Sequence, residues 1–129
     1  MSGVIYFPKC RDVIKDMETV LKDNGYNNII IDNITDNTNN KLFILLNSEE
    51  KYIGENDSER YIATIEIAYF INKKPLSLFN NIYPEIENIK NILDTLKSKY
   101  PLKYVSSDLK LNKGAMVIHL LYQITTSGV

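Results

Sequence analysis

A chain of 129 residues with 44% hydrophobic and 24% charged residues can bury one ordinary globular core, so we expect a single domain over residues 1–129. A formal net charge of −1 gives no electrostatic reason to expect nucleic-acid binding. No apolar run reaches the roughly 18 residues of a membrane-spanning helix, and a single cysteine, Cys10, excludes an intrachain disulfide. We therefore expect a protein that stays in the cytoplasm.

The first periodic segment, Lys9–Asp23, predicts an amphipathic helix. Its apolar residues recur at spacings of three and four, and Pro8 precedes it where a missing N–H costs no hydrogen bond. Asn24 and Gly25 follow, and both residues tolerate the backbone conformation that ends many helices. The apolar stripe consists of Cys10, Val13, Ile14, Met17, Val20 and Leu21.

Three strands are predicted next. Asn28–Ile34 is short, and Lys41–Asn47 is apolar on both faces, which is typical of a central strand. Ser48–Glu59 is rich in acidic residues and predicts an exposed loop. Arg60–Asn72 then alternates most regularly. Its predicted core face carries Tyr61, Ala63, Ile65, Ile67, Tyr69 and Ile71, and Thr64 and Glu66 point the other way.

The second half of the chain predicts a loop, a helix and a hairpin. The loop is Lys73–Asn81, and the helix runs from Pro84 to Lys99 with Pro84 in its first turn. Two strands, Leu102–Leu111 and Ala115–Thr126, form the hairpin. The order is α-β-β-β-α-β-β. It predicts an α+β fold with a mostly antiparallel sheet of about five strands and two helices packed on one face.

Residues that could carry chemistry are few and scattered. His119 is the only histidine and stands in a predicted strand, which favours a hydrogen-bonded or surface histidine over a catalytic or metal-binding one. Cys10 falls on the apolar stripe of the first helix, which favours a buried thiol over a nucleophile. Glu66 interrupts a strand and is expected to face solvent or a neighbouring subunit. The glycines form no phosphate-binding loop, so we expect no enzyme activity, no metal and no cofactor.

The face of the sheet opposite the core stripe is also partly apolar. Two interpretations are open: an exposed face that binds a partner, or a face covered by the first helix or by the acidic loop. The residues concerned are Ile62, Ala68, Phe70, Val117 and Leu121.

The order of these elements resembles the tail terminator (tail completion) proteins of long-tailed bacteriophages and phage-tail-like bacteriocins. The resemblance rests on an opening helix, a long strand led by Arg60 and Tyr61 (Arg-Tyr-Ile-Ala-Thr-Ile-Glu-Ile-Ala-Tyr-Phe), a second helix, and a last strand, Ala115–Thr126, with a late Tyr122. It implies a ring, usually a hexamer, that caps the tail tube and ends its polymerisation. The ring would bind the tail tube protein and the neck, the head connector or the sheath. It would assemble in the host bacterial cytoplasm and then form part of the virion or tail-like particle.

The two charged loops are the predicted contact regions. Their candidate contact residues are Glu49, Glu50, Glu55, Asp57 and Glu59 in the first loop and Lys73 and Lys74 in the second. Two alternatives stay open. One is another neck or connector subunit of similar fold. The other is an immunity or antitoxin-type module that neutralises a protein partner through the acidic segment.

Overall fold

A computed structural model describes residues 7–31, 41–53, 59–71, 75–112 and 115–128. For residues 52–53, 59, 75–83, 111–112 and 115–116 the description covers the backbone alone. The elements in chain order are α1 (Cys10–Asp23), β1 (Ile29–Ile31), β2 (Leu42–Ile53), β3 (Glu59–Ile71), α2 (Pro75–Asp94), a 3-10 turn (Thr95–Ser98), β4 (Lys103–Asn112) and β5 (Ala115–Thr126).

The five strands form one sheet in the order β1-β2-β3-β5-β4. β1 pairs with β2 in parallel, whereas the pairs β2–β3, β3–β5 and β5–β4 are antiparallel. The hairpin turns back so that β5, and not β4, lies beside β3. The predicted α+β class, the element order and the mostly antiparallel sheet are confirmed.

Alternate residues of the sheet and the inner stripes of both helices form the main core. Because strand side chains alternate between faces, the odd-numbered residues of β3 and the even-numbered residues of β5 point to the same side. Each large side chain buried there contributes about 1.5–3 kcal/mol of transfer free energy. Its fully buried members include Val13, Met17, Leu21, Ile44, Ile65, Ile67, Ile89, Leu93, Ile118, Leu120 and Tyr122. Both helices therefore pack on one face, as predicted, and we call this the helix face.

The opposite face, which we call the second face, is divided into two halves. One half is a small apolar cluster in which the rings of Phe43 and Phe70 meet edge to face, with centroids 5.4 Å apart. The other half is polar and only partly covered, and Ile62 and Leu121 are half-buried there. The buried cluster consists of Phe43, Ala68, Phe70 and Val117. These four residues are buried, so this half of the face is not exposed. The first helix does not cover it either, because α1 packs on the helix face.

The prediction of an acidic loop at Ser48–Glu59 is wrong for the first half of this range. β2 continues to Ile53, and Glu49 and Glu50 pair with β3 inside the ladder. A register irregularity between Leu46 and Ser48 breaks the alternation where the apolar residues end. Backbone pairing with a long neighbouring strand holds charged residues in a strand although their intrinsic preference for one is low.

The second helix also begins earlier than predicted. Pro75 is its first residue, so the loop expected at Lys73–Asn81 is wrong from Pro75 onward. Pro84 lies inside the helix and not in its first turn, and Glu85 is therefore a mid-helix residue. Proline is favoured in the first turn of a helix, so either proline is compatible with the start, and the sequence pattern alone favoured the wrong one. The α-helix ends at Asp94, and a 3-10 turn completes the segment.

One partly buried polar cluster joins α1 to the segment after α2. The carboxylate of Asp16 accepts hydrogen bonds from Lys99 Nζ at 2.8 Å and from the Tyr100 hydroxyl at 2.5 Å. The hydrogen bonds from Lys99 and Tyr100 lower the pKa of Asp16 below its ordinary value of 3.8. The folded state therefore favours the ionised carboxylate, and the contact ties the two helical segments together.

We predict that Asp16→Ala lowers the free energy of unfolding by about 1–2 kcal/mol, because two hydrogen bonds to a partly exposed carboxylate are lost. The lowered pKa means that this contribution is present above pH 3.8 and is lost as pH falls through the folded-state value. Urea titrations of both proteins should show their difference shrinking on acidification. Asp23→Ala, which removes an exposed carboxylate from the unfavourable end of the same helix, should cost nothing.

Candidate interaction surfaces

The two predicted contact residues on β2 do not share a surface. Glu49 pairs with Ala63, whose side chain lies in the helix-face core, and Glu50 pairs with Ile62 on the second face. Neighbouring strand residues point to opposite faces, so the two carboxylates diverge. Glu59 is the first residue of β3. Glu55, Asp57, Lys73 and Lys74 lie outside the described residues. The structure brings none of the described candidates together as one acidic patch.

An apolar groove of about 410 Å³ runs along the β1 edge of the sheet, under α1. Its apolar walls come from Ile14 of α1, Ile31 of β1 and Leu46 of β2. The exposed side chains of Arg11 and Lys15 and the partly exposed Glu18 border it. No strand of the described chain lies beyond β1 in the sheet. This surface was missed from the sequence because it depends on how the helix packs over the sheet edge.

The opposite edge, β4, carries exposed apolar side chains. Val105 is 44% exposed and Leu109 is 39% exposed. Within the described ranges, these two are the large hydrophobic residues with exposed side chains. A register irregularity between Tyr104 and Ser106 lies beside Val105. The described residues include no strand on the side of β4 away from β5. The sequence predicted this strand but could not show that it forms an edge.

A polar cavity of about 200 Å³ opens on the second face. At its centre His119 Nδ1 and Glu66 Oε1 lie 2.5 Å apart, and each side chain is 21% exposed. Glu66 is opposite Leu121, and His119 is opposite Ala68, so the pair meets diagonally across two strands. The remaining lining residues are Asn47, Ser106, Asp108, Lys110 and Leu121.

The Glu66–His119 pair agrees with the interpretation of His119 as a hydrogen-bonded strand residue. Alternation alone puts both side chains on one face, but only the register brings them into contact. Within the described residues, no three His, Cys, Asp or Glu side chains are grouped to hold a metal ion. Cys10 is fully buried on α1, which agrees with a structural thiol.

A second polar cleft, of about 380 Å³, lies where α1 ends beside α2. The Tyr26 hydroxyl donates to Glu85 Oε1 at 2.6 Å and accepts from Asn88 Nδ2 at 3.0 Å. Its ring meets Tyr69 edge to face at 5.3 Å. Burial, with a smaller contribution from Glu85, raises the pKa of Tyr26 far above its ordinary value. Tyr26 is thus a neutral residue that closes one end of the helix layer. Gly25, at φ 103°, makes the turn that leads to it.

Comparison with known proteins adds no functional residue. The sequence matches no protein-family model and no curated protein. Among the described residues, no helix has the length and apolarity needed to cross a bilayer.

Two buried tyrosines allow a matched test of how much a hydrogen-bonded hydroxyl contributes to the free energy of unfolding. Tyr122 is fully buried, and its hydroxyl has no hydrogen-bond partner among the described residues, whereas the Tyr26 hydroxyl has two. We expect Tyr26→Phe to lower the free energy of unfolding by about 1–2 kcal/mol and Tyr122→Phe to leave it unchanged or raise it by about 1 kcal/mol. Chemical denaturation of both variants measures the difference. Equal losses in the two would contradict the assignment.

The coupling between Glu66 and His119 can be measured with a double-mutant cycle to alanine. We expect a coupling energy of about 0.5–1.5 kcal/mol at neutral pH, since each single substitution leaves a partly buried polar partner unpaired. A control cycle between Glu49 and His119 should be additive within about 0.5 kcal/mol, because Glu49 lies on the other face of the sheet. Additivity in the first cycle would show that the 2.5 Å contact does not form in solution.

Proposed function

We propose that this protein is a tail terminator subunit: a structural assembly protein that forms a ring on the last ring of a tail tube. The ring ends tube polymerisation and offers a docking surface to the neck, the head connector or the sheath. Its partners are further copies of itself, in a ring of about six, and the tail tube protein. It assembles in the host bacterial cytoplasm and remains in the virion or tail-like particle.

The observation that carries this proposal is that the sheet ends in two different edges. One edge presents an apolar groove and the other presents exposed apolar side chains. Cyclic rings are built from heterologous contacts, in which two different and complementary patches of each subunit meet. A subunit whose opposite edges differ in this way suits such a contact better than it suits a symmetric dimer.

The polar groups support a structural role more than a catalytic one. His119 is held by Glu66, and the Tyr26 hydroxyl is held by Glu85 and Asn88. In both clusters these side chains are engaged with one another, and no three His, Cys, Asp or Glu side chains of the described residues are grouped to hold a metal ion. The proposal accordingly assigns no catalytic residue, metal or cofactor to this protein.

The immunity or antitoxin alternative has less support from the geometry. It depended on one continuous acidic surface, and Glu49 and Glu50 point to opposite faces of the sheet. Half of the expected loop is a strand paired along its length with β3. A toxin-binding surface would have to be built from other residues.

Electron microscopy of particles made without this protein tests the proposal. We expect overlong tails, or tails that do not join heads, and complementation with the wild-type chain should restore both length and attachment. The isolated protein, alone or with tail tube present, should yield a species with a mass near six subunits. Tails of normal length that still join heads would refute the terminator role. A stable monomer that binds a single toxin would favour the immunity alternative.

A further inference from the structure

The two edge strands run in opposite directions. β1, β2 and β5 point one way along the sheet, whereas β3 and β4 point the other way, as the parallel and antiparallel pairings require. Consider a second copy placed beside the first by rotation about an axis roughly along the strands. Its β1 keeps its direction, so β1 meets the first copy's β4 as an antiparallel neighbour. The sheet could then continue from one copy to the next.

The heights of the residues on the two edges also match. Leu109 pairs with Ile118, which pairs with Tyr69. Tyr69 pairs with Leu42, which pairs with Ile29. Leu109 and Ile29 therefore lie at the same level along the strand direction. Directly opposed residues share a face, so Leu109 and Ile29 both lie on the helix face. A neighbour related by rotation without translation would bring these two side chains together.

The groove lies at the height of the second exposed residue. Tyr104 is level with Leu46 through Tyr122 and Ile65. Val105 follows Tyr104 directly, at the register irregularity. The exposed Val105 of one copy would therefore be level with the groove of the next. The exposed side chains of the β4 edge and the groove of the β1 edge are thus both apolar, and they lie at the same level along the strand direction.

The helix layer adds a complementary charge. Lys90 Nζ lies 4.2 Å from the Tyr104 ring centroid, which places this stripe of α2 over β4. Glu87 and Asp94, three residues before and four after Lys90, share the stripe, and their side chains are 62% and 45% exposed. At the other edge, the exposed Arg11 and Lys15 of α1 border the groove together with the partly exposed Glu18, which pairs with Lys22. Lys90 and Lys97 pair with these two acids on the same stripe. The most exposed charged side chain there is Glu87, and its carboxylate would face the basic Arg11 and Lys15 in a head-to-tail arrangement.

The geometry points to a specific subunit contact: β4 of one copy is added as an antiparallel strand to β1 of a second copy. Leu109 packs on Ile29, Val105 comes level with the groove, and the α2 stripe approaches Arg11 and Lys15. The occupant of the groove is therefore another copy of this chain. This inference rests on the proposed ring function and specifies which surfaces close the ring.

Cysteine cross-linking tests the register. In Ile29→Cys/Leu109→Cys, incubated with oxidised glutathione at high protein concentration, directly opposed cysteines should form intersubunit disulfides with release of reduced glutathione. We expect a ladder of covalent oligomers that ends at the closed ring. Each single variant should give no ladder, and neither should the matched pair Ile30→Cys/Leu109→Cys, because Ile30 faces the second face of the sheet. The buried Cys10 is kept in all variants, so its effect cancels.

A charge exchange on exposed residues provides a second test that does not disturb the core. Arg11→Glu and Glu87→Arg should each reduce the assembled fraction about two- to fivefold, the range expected for an exposed ion pair. The double variant should recover assembly, while Lys22→Glu should leave it unchanged. Two weak single variants with no recovery in the double would contradict the contact between α2 and α1.

The outcomes separate this inference from the function on which it rests. Rings seen by electron microscopy without cross-linking of the 29/109 pair would overturn the edge contact and leave the ring function standing. Covalent dimers without a ladder would also overturn it, because a two-fold contact closes on itself. A chain that stays monomeric with and without tail tube, and gives no cross-link, would overturn both.

Discussion

The pairing of β3 with β5 is the contact on which the rest of this structure depends. Eleven consecutive residue pairs join Tyr61–Ile71 to Met116–Thr126 without an irregularity. Because side chains alternate, this one register decides which residues meet the helices and which meet the second face. It buries Ile65, Ile67, Leu120 and Tyr122 on one side and brings Glu66 to His119 on the other. A slip of one residue would exchange the two faces and remove both the core and the polar pair.

Long regular patterns were readable from the sequence, and interrupted ones were not. The alternation in Arg60–Asn72 and Ala115–Thr126 and the three-and-four spacing of the first helix led to elements close to those observed. The charged end of β2 was misread, because its strand state comes from pairing with β3 and not from its own composition. The start of α2 was misread because the sequence offers two prolines as helix starts, and only tertiary context selects Pro75.

The interaction surfaces were the least predictable part, since they are products of strand order. Charge density in the sequence pointed to Glu49 and Glu50, yet the strand sends them to opposite faces. Val105 and Leu109 look like ordinary strand residues until β5 is found between β3 and β4, which leaves β4 at the edge. The groove under α1 likewise requires a helix, a short edge strand and the end of a longer one to meet. Local periodicity contains none of this information.

The interior position of β5 also has a consequence for how the chain folds. β5 follows every other described strand in the sequence, yet it lies between β3 and β4. During synthesis, β3 emerges well before the strand that will cover its edge. Until then, a long apolar edge is open to pairing with other chains. Such late, long-range pairing raises the contact order and slows folding. The same layout delays completion of the sheet until β5 is available, so the finished β4 edge appears only in the last stage of folding.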